Sequence, residues 1–305
     1  MKFKHFLVLA LALIVSLAAC QGNQAQPAEP VPAAPAAEES EPATKIVEVV
    51  PTNTPTTSEV ATAVPQPTNQ PTAEPITPPT LVPETAVTQP TTENITIEAA
   101  DGLPLRATLS IPGGVPPFPG VLLLHMLGSD RQVWEQVGLT DALLADGYAV
   151  LALDMRGHGE SGGERKWEMF DDDILRVWQY FSGLEEVDEE RTAVVGASIG
   201  SNLALRVGAN EPAIETVILL SPGLDYRRVT TDDAIELYGG RPIFIVASEE
   251  DEYSAESSRT LAEIAQGEAV LQMYDSAGHG TAMFAAQPDL TNLILDWLKQ
   301  YLPEV

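Results

Sequence analysis

The chain has 305 residues, with 44 acidic residues against 16 lysines and arginines, and a net charge of −28. Such acidity repels polyanions, so the composition argues against nucleic acid as a partner. The chain contains one cysteine, which excludes an intrachain disulfide framework and a cluster of cysteine metal ligands.

The N-terminus has the pattern of an export signal. Two lysines precede an apolar stretch, residues 6–19, which is shorter than the ~20 residues that span a bilayer as a helix. Leu17-Ala18-Ala19-Cys20 resembles a bacterial lipobox, which implies removal of residues 1–19 as a lipoprotein signal peptide and lipidation of Cys20. Two acyl chains are enough for stable anchoring. We therefore expect an extracytoplasmic protein that is held to a bacterial membrane, on the cell surface or the periplasmic face, through Cys20.

A Pro/Thr-rich segment follows the cysteine. Residues 20–93 are rich in Pro, Thr, Ala, Glu and Gln, contain repeated Pro-Thr pairs and show no apolar periodicity. Such a segment cannot bury enough apolar surface to offset the entropy of ordering, so we predict a disordered tether. Residues 94–305 then form the folded domain, and this length suffices for a single domain with a substantial core.

The pattern of the folded domain predicts an α/β architecture. Residues 95–109 alternate around Asp101-Gly102, which predicts an antiparallel hairpin at a sheet edge. Later apolar runs alternate with amphipathic stretches, which favours a mostly parallel, twisted sheet with helices on both faces. The predicted strands are 121–124, 149–153, 193–195, 217–220 and 243–247, and the predicted helices are about 131–146, 167–182, 199–209, 254–266 and 288–302. Trp134, Trp178 and Trp297 fall in the helical stretches and are expected in the core.

A serine between two glycines is the strongest chemical signal. Gly196-Ala197-Ser198-Ile199-Gly200 follows the apolar run 192–195 and precedes a helical pattern, which is the context of a nucleophile elbow. A serine nucleophile needs a histidine base and a carboxylate, which follow it in the order Ser, acid, His on this kind of fold. Of the four histidines, His279 alone follows Ser198, so it is the predicted base.

The acid is expected on a loop after a late strand. Ser248-Glu249-Glu250-Asp251-Glu252 follows the apolar run 242–247, and we assign Asp251 as the acid. Glu250 is a weaker option in the same loop. Asp225, after the run 216–220, is the alternative for an acid carried one strand earlier.

Two backbone N–H groups are needed to hold a developing oxyanion. One belongs to the residue after the nucleophile, Ile199, and the other is expected from the loop after the apolar run 120–124, with Leu127 as the preferred donor. His125 begins this loop and is expected to brace it rather than to act as a base.

Together these motifs resemble the α/β-hydrolase superfamily. His125-Met126-Leu127-Gly128 resembles its His-Gly-x-Gly oxyanion loop, with Met126 in place of the usual glycine. Asp154-Met155-Arg156-Gly157-His158-Gly159-Glu160-Ser161 resembles its Asp-x-Arg-Gly-x-Gly-x-Ser turn. Residues 94–305 are most similar to capless members related to dienelactone hydrolase and serine esterases. Dienelactone hydrolases themselves carry a cysteine where Ser198 stands.

The resemblance implies a serine hydrolase with the triad Ser198, Asp251 and His279, which would cleave a small soluble ester or thioester through an acyl-enzyme. This chemistry requires no cofactor or metal. Residues 221–241 are too few for a large helical cap. The net charge disfavours highly anionic substrates unless an arginine, such as Arg156 or Arg131, reaches the pocket.

Two other classes of function stay open at this point. A surface-displayed binding module can keep the fold without catalysis, and an acyltransferase or a peptidase can use the same triad. The sequence predicts neither the physiological substrate nor the oligomeric state.

Overall fold

A computed structural model describes residues 89–303. The predicted signal peptide, Cys20 and most of the predicted tether lie outside the described residues. The ten strands in this part of the chain are β1 (Thr91–Glu98), β2 (Pro104–Ile111), β3 (Phe118–Leu124), β4 (Ala149–Leu153), β5 (Val187–Ala197), β6 (Ile214–Leu220), β7 (Asp225–Tyr226), β8 (Val229–Thr230), β9 (Ile243–Ser248) and β10 (Ala269–Tyr274).

Eight of these strands form one sheet in the order β1-β2-β4-β3-β5-β6-β9-β10. The six strands from β4 to β10 run parallel, and β2 is antiparallel to both of its neighbours. The edge hairpin β1–β2, predicted from the alternation around Asp101-Gly102, is confirmed. Its first strand begins at Thr91, three residues before the predicted domain boundary, because Thr91 pairs with Ile111 at the end of β2.

The α-helices are α1 (Val133–Gln136), α2 (Leu139–Ala145), α3 (Phe170–Ser182), α4 (Ile199–Asn210), α5 (Asp232–Tyr238), α6 (Glu252–Ile264), α7 (Met283–Ala286) and α8 (Leu290–Tyr301). They cover both faces of the sheet, because side chains alternate along each strand and every face is apolar. In β3, Leu122 and Leu124 pack into the core under α3–α6, whereas Val121 and Leu123 pack into the core under α1, α2, α7 and α8. The predicted α/β class is confirmed.

The three tryptophans are buried as predicted. Trp178 lies in the first core, and Trp134 and Trp297 lie in the second. The indole N–H of Trp297 donates to the hydroxyl of Thr216 at 2.8 Å. These residues therefore anchor helices to the sheet.

Three elements differ from the sequence-based expectation. The predicted helix over 131–146 is two helices, because Gly138 adopts φ 78° and breaks the path between α1 and α2. The eighth strand of the sheet, β10, was not predicted, since its residues are only partly buried at the edge. Residues 221–241 form the β7–β8 hairpin and α5.

There is no large cap over the sheet in residues 89–303. Helix α5 buries Ala234, Ile235 and Tyr238 in the core, so it belongs to the layer that covers the sheet. Within this same range, no helix combines the length and the apolar character needed to cross a bilayer.

Candidate active site

Ser198 lies at the turn between β5 and α4 in a strained backbone conformation, φ 53° and ψ −120°. The two glycines of the motif permit the tight path. A Cβ on Gly196 would lie 2.1 Å from the carbonyl oxygen of Gly200, and a Cβ on Gly200 would lie 2.3 Å from that of Leu124. Main-chain atoms cannot move aside cheaply, so glycine is needed at both positions. The turn is the elbow that the sequence predicts, and it exposes Ser198 to a cavity.

His279 and Asp251 are in direct contact. Nδ1 of His279 lies 2.5 Å from Oδ2 of Asp251. A proton on Nδ1 that is donated to the carboxylate leaves Nε2 as an acceptor, which is the tautomer that a general base requires. The His279 side chain is 39% exposed and the Asp251 side chain 21% exposed, so the pair sits at the surface of the site rather than inside the core.

Ser198 and His279 line one cavity of about 390 Å³, which also contains the two predicted oxyanion donors, Leu127 and Ile199. Neither backbone N–H donates to an acceptor within residues 89–303. The structure thus brings together every residue of the predicted catalytic set, with Asp251 behind His279.

The two alternative acids have other partners. Glu250 accepts hydrogen bonds from the Ser276 hydroxyl and from the Gly278 N–H, each at 2.6 Å, and so fixes the loop before His279. The hydrogen bond from Ser276 lowers the pKa of Glu250. Asp225 lies at the cavity wall and accepts the N–H of Arg228 at 2.6 Å. Of the three carboxylates, Asp251 is the one that contacts His279.

The loop that carries Leu127 is braced by His125, as expected. His125 is fully buried; its Nδ1–H donates to the carbonyl of Met126 at 2.8 Å, and its Nε2 accepts the N–H of Met155 at 3.1 Å. Burial lowers the pKa of His125 to about 4, so the ring is neutral at physiological pH and can make both bonds. It therefore ties the end of β3 to the end of β4.

Asp154 braces the same loop from the turn after β4. Its carboxylate accepts the N–H groups of Arg131 at 2.7 Å and Glu160 at 2.8 Å, and it forms a buried ion pair with the Arg131 guanidinium. Arg156 is likewise buried and is held between Asp173 and Asp101. Neither Arg131 nor Arg156 lines the cavity that contains Ser198, so neither is the arginine that the sequence suggested for contact with an anionic substrate.

Sequence reasoning missed two residues of the cavity, Tyr226 and Arg227. The Tyr226 ring packs edge-on against His279 with 6.3 Å between centroids, and its hydroxyl lies 2.9 Å from that of Ser254. Burial raises the pKa of Tyr226 to about 12, so the hydroxyl stays protonated. No local signal marked either residue, because the segment after β6 has no apolar periodicity.

Main-chain hydrogen bonds join the loops that carry these residues. The Ser198 N–H donates to the carbonyl of Leu220 at the end of β6, and the Ser221 N–H donates to that of Val246 in β9, both at 2.8 Å. The Ser221 hydroxyl in turn accepts the N–H of Gly280 at 2.9 Å. The elbow and the histidine loop are therefore fastened through neighbouring strand ends.

A metal site is not evident in residues 89–303, since these contain no cluster of three or more His, Cys, Asp or Glu side chains placed to hold an ion. The polar groups that line the cavity are the side chains of Ser198, Asp225, Tyr226, Arg227 and His279, together with main-chain N–H groups. Ser198 and His279 are the pair among them suited to nucleophilic attack and proton transfer.

Comparison with known proteins finds similarity to several hydrolases. Residues 116–239 match the family described as serine aminopeptidase, S33; the match includes the elbow and ends before Asp251. A curated relative, esterase FrsA from Escherichia coli O157:H7, is 32% identical over 126 residues, which are 40% of this chain and 29% of that protein. The chain spans between 29% and 36% of the length of the curated relatives it matches.

Solved structures extend the likeness across the described domain. A dienelactone hydrolase from Anabaena variabilis is 18% identical with a TM-score of 0.58, covering 70% of this chain and 100% of that one. A 2,6-dihydroxy-pseudo-oxynicotine hydrolase is 20% identical with a TM-score of 0.59, covering 70% and 68%. The sheet order, the elbow and these likenesses identify the described part of the chain as a domain with the α/β-hydrolase fold.

Proposed function

We propose that the protein is a serine hydrolase that cleaves carboxylic esters or thioesters of small soluble substrates through an acyl-enzyme on Ser198. The observation that carries the proposal is the contact between His279 and Asp251 beside a serine held in a strained elbow. Strained backbone persists where the surrounding structure enforces it, and it concentrates at functional sites.

The reaction begins with proton transfer from the Ser198 hydroxyl to Nε2 of His279, while the Ser198 oxygen attacks the substrate carbonyl. Asp251 holds the ring in the required tautomer and stabilises the imidazolium that forms. The N–H groups of Leu127 and Ile199 donate to the oxyanion of the tetrahedral intermediate. His279 then protonates the leaving alcohol or thiol, which departs and leaves the acyl group on Ser198.

Hydrolysis completes the cycle. A water molecule gives a proton to His279 and adds to the acyl carbonyl, and collapse of the second intermediate releases the acid as His279 returns the proton to Ser198. These steps use only Ser198, His279, Asp251, the two N–H groups and water. The His279 side chain is 39% exposed, so the reacting groups are open to solvent, and we expect small soluble substrates rather than buried lipid chains.

The test combines covalent labelling with three variants of the full chain. A fluorophosphonate probe should label Ser198, as located by mass spectrometry, and labelling should vanish in Ser198→Ala and fall sharply in His279→Gln. Asp251→Asn should lower kcat by about 10³–10⁴-fold, because an amide in place of the carboxylate favours the wrong tautomer of His279.

A matched control is available one residue away. Glu250→Gln keeps an acceptor oxygen for the histidine loop and should lower kcat far less than Asp251→Asn. If a folded sample binds small esters but is not labelled by the probe, the result would instead support a non-catalytic binding module. An excess of transfer to an added alcohol over hydrolysis would point to an acyltransferase.

Location is a separate proposal. We infer that Cys20 is lipidated after removal of residues 1–19 and anchors the protein to a bacterial membrane, supported by the lipobox-like Leu17-Ala18-Ala19-Cys20. A tagged fatty acid supplied to expressing cells should become attached to the wild type and not to Cys20→Ala, which lacks the thiol that would carry it. A wild-type protein without the tag would contradict lipid anchoring.

A further inference from the structure

The hairpin beside the active site has an unusual turn. Strands β7 and β8 pair Asp225 with Thr230 and Tyr226 with Val229, which leaves Arg227 and Arg228 as a two-residue loop. Both adopt positive φ, 58° and 71°. This is the pattern of a type I′ turn, which strongly favours Asn-Gly and similar pairs because both central residues must be left-handed. A left-handed backbone is unfavourable for arginine, so the presence of two arginines here indicates a role for their side chains.

Arg227 lies where two cavities meet. It lines the catalytic cavity with Ser198 and His279, and it also lines a neighbouring cavity of about 520 Å³. Arg228 and Arg206 contribute to the second cavity, and Trp167 supplies an aromatic wall. A substrate bound at Ser198 would therefore have Arg227 within the wall of its own cavity, with Arg228 on the next residue of the turn.

The two guanidinium groups of the turn are available. Neither Arg227 nor Arg228 forms an ion pair within residues 89–303, whereas Arg206 in the same cavity is paired with Asp171. The other carboxylate of that cavity is Glu168, so its wall carries three cations against two anions. In a chain with a net charge of −28, the wall of this cavity thus has an excess of one positive charge, and of the described residues Asp225 is the one carboxylate that lines the cavity around Ser198.

We propose that Arg227 and Arg228 form an anion subsite that binds a carboxylate on the substrate, so that the preferred substrates are esters whose non-reacting end is a carboxylate. The planar fork of a guanidinium matches the two oxygens of a carboxylate. The subsite rests on the proposed hydrolase function, because Ser198 is taken as the point where the scissile carbonyl binds. It would also overcome the repulsion that an acidic protein exerts on an anionic substrate.

The test compares charged and neutral substrates of matched shape. One pair carries the charge on the acyl side: mono-p-nitrophenyl adipate and its methyl ester. The other carries it on the alcohol side: 4-acetoxybenzoate and its methyl ester. For the full chain, kcat/KM should favour the charged member of at least one pair by about tenfold or more, as expected for a charge-assisted hydrogen bond.

Arg227→Gln should abolish that preference, and Arg227→Lys should retain part of it, because lysine keeps the charge and loses the fork. Arg176→Gln is the matched control, since it removes the same charge from an exposed position of α3 that lines neither cavity. It should keep the wild-type preference. Added salt should reduce the preference of the wild type.

The outcomes separate the two proposals. Labelling of Ser198 and turnover of the neutral esters without any preference for the charged members would overturn the subsite and leave the hydrolase intact. A preference that survives Arg227→Gln, or one that Arg176→Gln removes equally, would also overturn it. Failure of both labelling and turnover would end the hydrolase proposal, and the subsite with it.

Discussion

Replacement of Arg228 by glycine should stabilise the protein, although it removes a large side chain and a charge. Arg228 holds φ 71°, and a non-glycine residue in the left-handed region costs about 1–2 kcal/mol. Glycine avoids this strain but enlarges the unfolded ensemble, which costs about 0.4–1 kcal/mol. The net expectation for Arg228→Gly is an increase of about 0–1.6 kcal/mol in the free energy of unfolding, with a midpoint of about 0.8 kcal/mol. The adjoining Val229 is buried in the core, so the turn unfolds together with the domain and its strain contributes to the measured free energy of unfolding.

Urea unfolding of the full chain, followed by tryptophan fluorescence, measures this difference. Arg176→Gly is the matched control, since the same substitution at an exposed position of α3 should destabilise by about 1 kcal/mol. Both variants remove one positive charge. Stability changes of opposite sign would therefore reflect the different backbone conformations of Arg228 and Arg176 rather than the lost charge. The reasoning is refuted if the two variants lower the stability by a similar amount.

Two further predictions concern the framework of the site. Gly200→Ala should destabilise by about 3 kcal/mol and strongly reduce turnover, since its Cβ would meet main-chain oxygen at 2.3 Å; a urea midpoint and a rate equal to wild type would contradict this. The hydrogen bond from Arg156 lowers the pKa of Asp101 from 3.8 to about 2, so Asp101 adds stability above pH 3.8 that disappears as pH falls towards 2. The stability lost in Asp101→Asn should therefore shrink between pH 5 and pH 3 in chemical unfolding, and a constant difference would disprove the linkage.

Much of this site could be predicted because its chemistry depends on local patterns. The Gly-x-Ser-x-Gly motif reports a steric requirement at Gly196 and Gly200 that no other residue meets, and chain order left one histidine after Ser198. The parallel strands inside the sheet are buried on both faces, so their sequences are continuous apolar runs. The acid was harder to assign, since four carboxylates fall in five residues, and the contact with His279 separates Asp251 from Glu250.

The elements that escaped prediction lack such signals. Strand β10 is an edge strand with partly exposed side chains, so its apolar pattern is weak. The β7–β8 hairpin has Arg227-Arg228 where a turn of its type favours Asn or Gly, so rules for turns pointed away from it. The break between α1 and α2 did carry a signal, Gly138, which lies inside the predicted helix.

The fastening of the catalytic loops has a consequence for how this protein can change over generations. The bonds that join Ser198 and Ser221 to neighbouring strand ends run between main-chain atoms, so they survive most side-chain substitutions, and only the link to Gly280 depends on a side chain, the Ser221 hydroxyl. The hairpin is held differently: Asn202 accepts the N–H of Gly223 and donates to the carbonyl of Val229. Substitutions at the turn residues Arg227 and Arg228 therefore change the charge beside the cavity, while the elbow and the contact between His279 and Asp251 stay in place. Over generations, the charge of this cavity wall can therefore change independently of the residues proposed to break the ester bond.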